Sequence, residues 1–128
     1  LIATYPDFLG PRMLAIPLYM AKGDTAQADA HIKEAVKLQP GYPSVQRCYG
    51  FMLLRHADFE GARQSFEKYM QLLPDHPGPY QAMGDFYRKT GNPEKALEYY
   101  EKAYSMSPLT MRDAREKADA IKDEVAGG

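Results

Sequence analysis

Apolar side chains recur along this chain at the spacing of amphipathic helices. Between residues 79 and 90, Tyr80, Met83, Phe86 and Tyr87 fall three and four apart, one stripe of a helix, and Gly91 follows as a stop. A second helix is predicted directly after it. Asn92 is a good N-cap, Pro93 suits the first helical position, Glu94 favours the positive end of the helix dipole, and Ala96, Tyr100 and Ala103 form the next stripe. Further on, Met111, Ala114, Ala118, Ile121 and Val125 repeat the pattern, with Arg112, Arg115, Glu116, Lys117, Asp119 and Lys122 covering the other faces. Residues 111–126 are therefore expected to form a polar-backed capping helix, while Ala126-Gly127-Gly128 carries no structural signal.

The same pattern returns with a fixed period. Pro6, Pro40, Pro74 and Pro108 lie 34 residues apart, and in register with them stand Ala28, Ala62 and Ala96, then Ile32, Phe66 and Tyr100, then Ala35, Tyr69 and Ala103. Earlier columns hold Tyr19, Leu53 and Tyr87, then Gly23, Ala57 and Gly91, then Asp24, Asp58 and Asn92. Gly50 and Gly84 share a column in which Ile16 takes the first place. Glycine there lets two helices approach, and Gly84 is expected to face Ala96 while Tyr and Phe fill the space beside them.

These residues resemble the tetratricopeptide repeat, whose pattern has a large aromatic, Leu-Gly, Tyr, then Ala, Phe, Ala and Pro at these spacings. The resemblance implies an all-α, right-handed solenoid of antiparallel helix pairs: units at 9–42, 43–76 and 77–110, then the capping helix. The third unit fits best, with Tyr80, Met83-Gly84, Tyr87, Gly91, Ala96, Tyr100, Ala103 and Pro108. The second keeps Tyr49-Gly50, Ala62, Phe66 and Pro74 but has Gln46 in place of the large aromatic. The first departs furthest, with Arg12 and Ile16 at the opening columns and Pro17 inside the first helix, which is expected to bend or split there. Residues 1–6 align with 35–40, so residues 1–8 read as the tail of a preceding unit and the chain as a piece of a longer array.

Composition narrows the partner. The 128 residues carry 16 basic and 17 acidic side chains, a formal charge of −1. That balance argues against a protein that tracks nucleic-acid phosphates and against a polybasic membrane anchor. The longest apolar stretches, such as 13–20, fall well short of the roughly 20 residues that span a bilayer. Divided at the unit boundaries, residues 1–42, 43–76 and 77–110 hold four basic and four acidic side chains each, and 111–128 hold four and five. Each unit is neutral, so any charged face must be balanced within its own repeat. Cys48 is the one cysteine and cannot close an intrachain disulfide. A cytoplasmic location is expected.

No constellation for catalysis stands out. Cys48 and His56 are eight residues apart on one predicted helix, about 12 Å, too far for a thiolate–imidazole pair. His31, His56 and His76 lack the spacing of a metal-binding motif. Glu60, Glu67, Glu94, Glu98 and Glu101 sit near Arg or Lys on predicted helix surfaces, where solvated pairs are the ordinary outcome. No phosphate-binding glycine loop occurs, no cofactor is expected, and most of the ten tyrosines occupy packing columns rather than a base-stacking platform.

The resemblance places a partner in the concave groove lined by the first helix of each unit. The groove residues it implies are Met13, Leu14 and Met20 from the first unit, Arg47, Cys48, Phe51 and Arg55 from the second, and Gln81, Asp85, Arg88 and Lys89 from the third. Chemistry then runs from apolar and adaptable to polar with a basic excess, which suits a peptide or partner helix with apolar anchors and an acidic residue. Family members that clamp a terminal carboxylate use Lys, Asn and Arg, whereas the matching positions here are Met13, Pro17, Cys48, Gly78 and Ala82. The expectation is thus a non-catalytic protein-interaction module that binds neither nucleic acid nor membrane and is not an adaptor for chaperone tails. A substrate-selecting region of a larger enzyme, such as a glycosyltransferase bearing these repeats, is the alternative. Exposure of the apolar first unit would also allow self-association through the N-terminal face.

Overall fold

The computed structural model describes residues 9–108 and 112–127. Residues 1–8, read above as the tail of a preceding unit, and Met111, placed in the stripe of the last helix, lie outside them. Seven helices are described: α1 (Leu9–Ala21), α2 (Thr25–Leu38), α3 (Pro43–Arg55), α4 (Phe59–Leu72), α5 (Pro77–Lys89), α6 (Pro93–Met106) and α7 (Arg112–Gly127). The first helices begin at 9, 43 and 77 and the second helices at 25, 59 and 93, so both series step by 34 residues. The first helix of each pair packs most closely on the second, giving α1–α2, α3–α4 and α5–α6, with α7 against α6 and looser contacts between successive pairs.

Local chemistry sets the same punctuation three times. The backbone N–H groups of Asp24, Asp58 and Asn92 donate to the carbonyls of Tyr19, Leu53 and Tyr87, five residues back, at 2.9, 2.9 and 2.8 Å. That closure requires a left-handed residue just before it. Gly23 (φ 79°), Ala57 (φ 61°) and Gly91 (φ 85°) supply it, and Ala57 is the one without glycine's freedom. The side chains of Asp24, Asp58 and Asn92 then accept from the N–H groups of Gln27, Gly61 and Lys95, capping the second helix of each pair.

Packing explains where the units depart from one another. A Cβ built on Gly84 would meet the Tyr100 ring at 2.5 Å, and one on Gly50 would meet Phe66 at 2.5 Å. Gly84 therefore lies against the Tyr100 ring, because the aromatic reaches across the helix contact. In the first pair the exchange is reversed. Ile16 stands where the others have glycine, Ile32 stands where they have Phe66 and Tyr100, and Ile16, Ala28, Ile32 and Met52 form one buried cluster. A larger residue on one helix is offset by a smaller one opposite, which conserves core volume. Gln46 is likewise a replacement in kind. Its Nε2 donates to the Pro40 carbonyl at 2.6 Å, as the Tyr80 hydroxyl donates to the Pro74 carbonyl at 3.3 Å, one unit later.

Pro17 does not split its helix, one of the two outcomes expected from the sequence: α1 is continuous from Leu9 to Ala21. Four residues of the helix remain C-terminal to the proline, and Tyr19 still reaches the closing contact at Asp24. Leu14 (71% exposed) and Leu18 (64%) lie on the uncovered side of this helix. At the other end, Ala118 and Ile121 of α7 close over Ala96 and Tyr100. Between α5 and α6, Tyr87 stacks on Tyr99 with centroids 5.6 Å apart, and Lys95 sits over the Tyr87 ring at 5.0 Å. The tyrosine columns thus serve helix packing.

Candidate functional site

The first helices of the three pairs line two adjoining cavities. Met13, Ile16, Pro17 and Met20 of α1, Ile32 of α2, and Arg47, Cys48, Phe51, Met52 and Arg55 of α3 enclose the first, of about 400 Å³. Arg47 and Phe51 also border the second, of about 260 Å³, completed by Gly78, Gln81, Ala82 and Asp85 of α5. One helical face of α3 presents Arg47, Cys48, Phe51 and Arg55 because they recur at three and four spacing, so α3 is the shared wall.

Of the eleven residues expected in the groove, Met13, Met20, Arg47, Cys48, Phe51 and Arg55 gather round the first cavity, and Gln81 and Asp85 join Arg47 and Phe51 at the second. Leu14, Arg88 and Lys89 line neither. Leu14 is mostly exposed on another face of α1, and Lys89 sits exposed at the end of α5. Residues the sequence reading passed over form the floor of the first cavity: Ile16, Ile32 and Met52, all at most 5% exposed. Their signal was present in the column where Ile16 replaces glycine. The five positions matching the family's carboxylate clamp, Met13, Pro17, Cys48, Gly78 and Ala82, do line the two cavities, but with apolar groups.

Electrostatics further separates the groove cations. Arg55 donates to Asp29 Oδ1 at 2.5 Å, and His56 Nε2 lies 2.7 Å from Oδ2 of the same carboxylate, tying α2 to α3. Burial acts to raise the Asp29 carboxyl, yet the hydrogen bonds and charges of Arg55 and His56 prevail and hold it below its ordinary range. Asp29 was not foreseen; its sign is an acid beside the buried Ala28 column. Asp85 accepts from the Tyr100 hydroxyl at 2.5 Å and from Lys117 Nζ at 2.8 Å, and Gln81 Nε2 donates to Asp113 Oδ2 at 2.7 Å. Burial and the Asp85 carboxylate push the Tyr100 hydroxyl far above the tyrosine range, with the Arg88 guanidinium acting in the opposite direction. Asp85 and Gln81 thereby anchor α7 as well as bordering the groove. Burial raises the Cys48 thiol, opposed by Arg47, so this sulfur is a neutral, apolar wall.

No group of three or more His, Cys, Asp or Glu stands together as a metal site among the described residues. Glu60 and Glu67 pair with Arg63 on α4. Among the described residues no helix is long and apolar enough to cross a membrane.

A family model described as the tetratricopeptide repeat matches residues 18–42 and 78–108. The chain is 33% identical over 101 residues to the Protein CTR9 homolog of Arabidopsis thaliana, which covers 76% of this chain and 9% of that protein. It is 33% identical over 73 residues to a TPR repeat-containing protein of Dictyostelium discoideum, covering 57% of this chain and 28% of that protein. The chain thus spans less than a third of the length of either relative. Among solved structures, a thermophilic TPR protein of Thermus thermophilus superposes with a TM-score of 0.79 at 25% identity, over 94% of this chain and 66% of the other. The first TPR of Spaghetti (RPAP3), bound to the HSP90 peptide SRMEEVD, superposes with a TM-score of 0.72 at 17% identity, over 91% and 94%, a likeness of fold. The 34-residue step of helices, caps and turns and these matches agree: the chain carries tetratricopeptide repeats, folded as three helix pairs closed by a C-terminal helix.

Proposed function

We propose that this chain is a non-catalytic module that holds a peptide or partner helix along the face formed by α1, α3 and α5. Tetratricopeptide repeats generally mediate protein–protein interaction, and a protein of the same fold holds the acidic peptide SRMEEVD. The observation that carries the reading is the cavity of about 400 Å³ between α1 and α3, floored by Ile16, Ile32 and Met52 and walled by flexible Met13 and Met20. Such a site accepts an apolar side chain of variable shape. A polar group at its edge, Arg47, would orient the ligand.

Cys48→Trp would fill this cavity from a half-buried wall position. Peptides selected from a displayed random library on the wild-type protein are expected to lose at least about tenfold in affinity for this variant, with unchanged helical circular dichroism. Equal binding to both proteins would remove the cavity as the site. A second reading has this module select substrates for a larger enzyme, and its motivation is the small share of each relative that the chain spans. A catalytic domain elsewhere in the parent gene would favour it; further repeats alone would refute it.

A further inference from the structure

The cations of the groove helices differ in how far neighbouring groups already engage them. Arg55 is held by Asp29 at 2.5 Å. Arg88 lies by the Tyr100 hydroxyl, whose acceptor Asp85 is also bonded to Lys117. Lys89 borders neither cavity. Arg47 differs from all three. It is exposed, it borders both cavities, and no carboxylate lies within ion-pair distance of it among the described residues. Its guanidinium reaches the Cys48 sulfur at 4.0 Å, and that thiol stays neutral because burial raises it.

We propose that Arg47 is the anion receptor of this groove, and that the ligand is an internal peptide segment, not a chain terminus. An apolar side chain fills the α1–α3 cavity, a neighbouring Glu or Asp carboxylate meets Arg47, and the backbone continues past Phe51 into the α3–α5 cavity. The inference rests on the groove reading of the previous section. A guanidinium offers a fork of donors matched to one carboxylate. A terminus with acidic side chains would bring several negative charges to a single cation, whereas the five clamp positions provide only apolar contacts. Because the two cavities share Arg47 and Phe51, a chain can enter at one and leave by the other. Gly78 and Ala82 keep the second wall low, which leaves room for peptide backbone.

The test uses N-acetylated, C-amidated nonapeptides with a central Leu and one Glu walked through the flanking positions, measured by fluorescence polarisation on the 128-residue protein. Gln and Lys versions and free-carboxylate twins serve as controls. At one register Glu is expected to bind about tenfold more tightly than Gln, the free carboxylate adding less than that. Arg47→Gln should erase the preference and Arg47→Glu should transfer it to the Lys peptide, while Arg55→Gln retains it. Peptides that need the central Leu yet keep their Glu preference in Arg47→Glu would overturn the proposal and leave the groove reading standing. A requirement for the free carboxylate would overturn it in favour of a terminal site. Failure of every peptide to bind the wild-type protein would remove both.

Discussion

Ala57 holds a φ of 61° where the other two turns have glycine, a backbone conformation that costs an L-residue roughly 1–2 kcal/mol. Ala57→Gly is expected to stabilise the protein by about 0.5–1 kcal/mol, the added flexibility of the unfolded chain offsetting part of the relieved strain. Urea denaturation followed by circular dichroism measures it, and a loss of stability would mean that the turn is not under strain. The column containing Ala57 was visible in the sequence because glycine flanks it one period away on either side. Other residue-scale relations were not visible. Nothing in the letters shows that Gln46 and Tyr80 do one job, since one is an amide and the other a phenol; the shared task emerges when both reach a proline carbonyl of the preceding turn.

Between elements, the α1–α2 contact carries a titratable group in a constrained place. His31 stacks on Tyr19 at 5.4 Å, and its Nδ1 lies 3.2 Å from Arg12. Burial and the Arg12 charge lower the His31 pKa from its ordinary value of 6.5. As pH falls below about 6.5 the unfolded chain takes up this proton before the folded one does, so folding stability declines until the folded pKa is passed. His31→Gln should flatten the dependence of the denaturation midpoint on pH across that window. An unchanged slope would show that another group sets it. Helix pairing itself was legible, because caps, stops and apolar stripes are local signals repeated three times. The intact course of α1 through Pro17 and the matched exchange of Ile16 with Ile32 were not, because each depends on what faces the residue across the helix contact. The junction formed by Asp29, Arg55 and His56 was hidden for the same reason: its members lie 26 and 27 residues apart and belong to different units.

At the scale of the whole molecule, neutrality of each unit coexists with an uneven inner face. The sequence implied a basic excess there, and the structure shows how much of it is already matched: Asp29 holds Arg55, while Asp85 and Gln81 reach to α7. What is left is an apolar cavity with Arg47 at its mouth, between α1 and α3 and continuous with the α5 wall. The order of helices followed from the period and the groove helices were implied by the family resemblance, whereas the engagement of each side chain followed from neither. The central claim is that ligands enter along α1, α3 and α5. It is tested most directly by backbone amide chemical shifts of the 15N-labelled protein titrated with the blocked Leu–Glu peptide that binds best. The account predicts the largest shifts at Met13, Met20, Arg47, Cys48, Phe51 and Gln81; shifts confined to α2, α4 and α6, or to the polar face of α7, would contradict it.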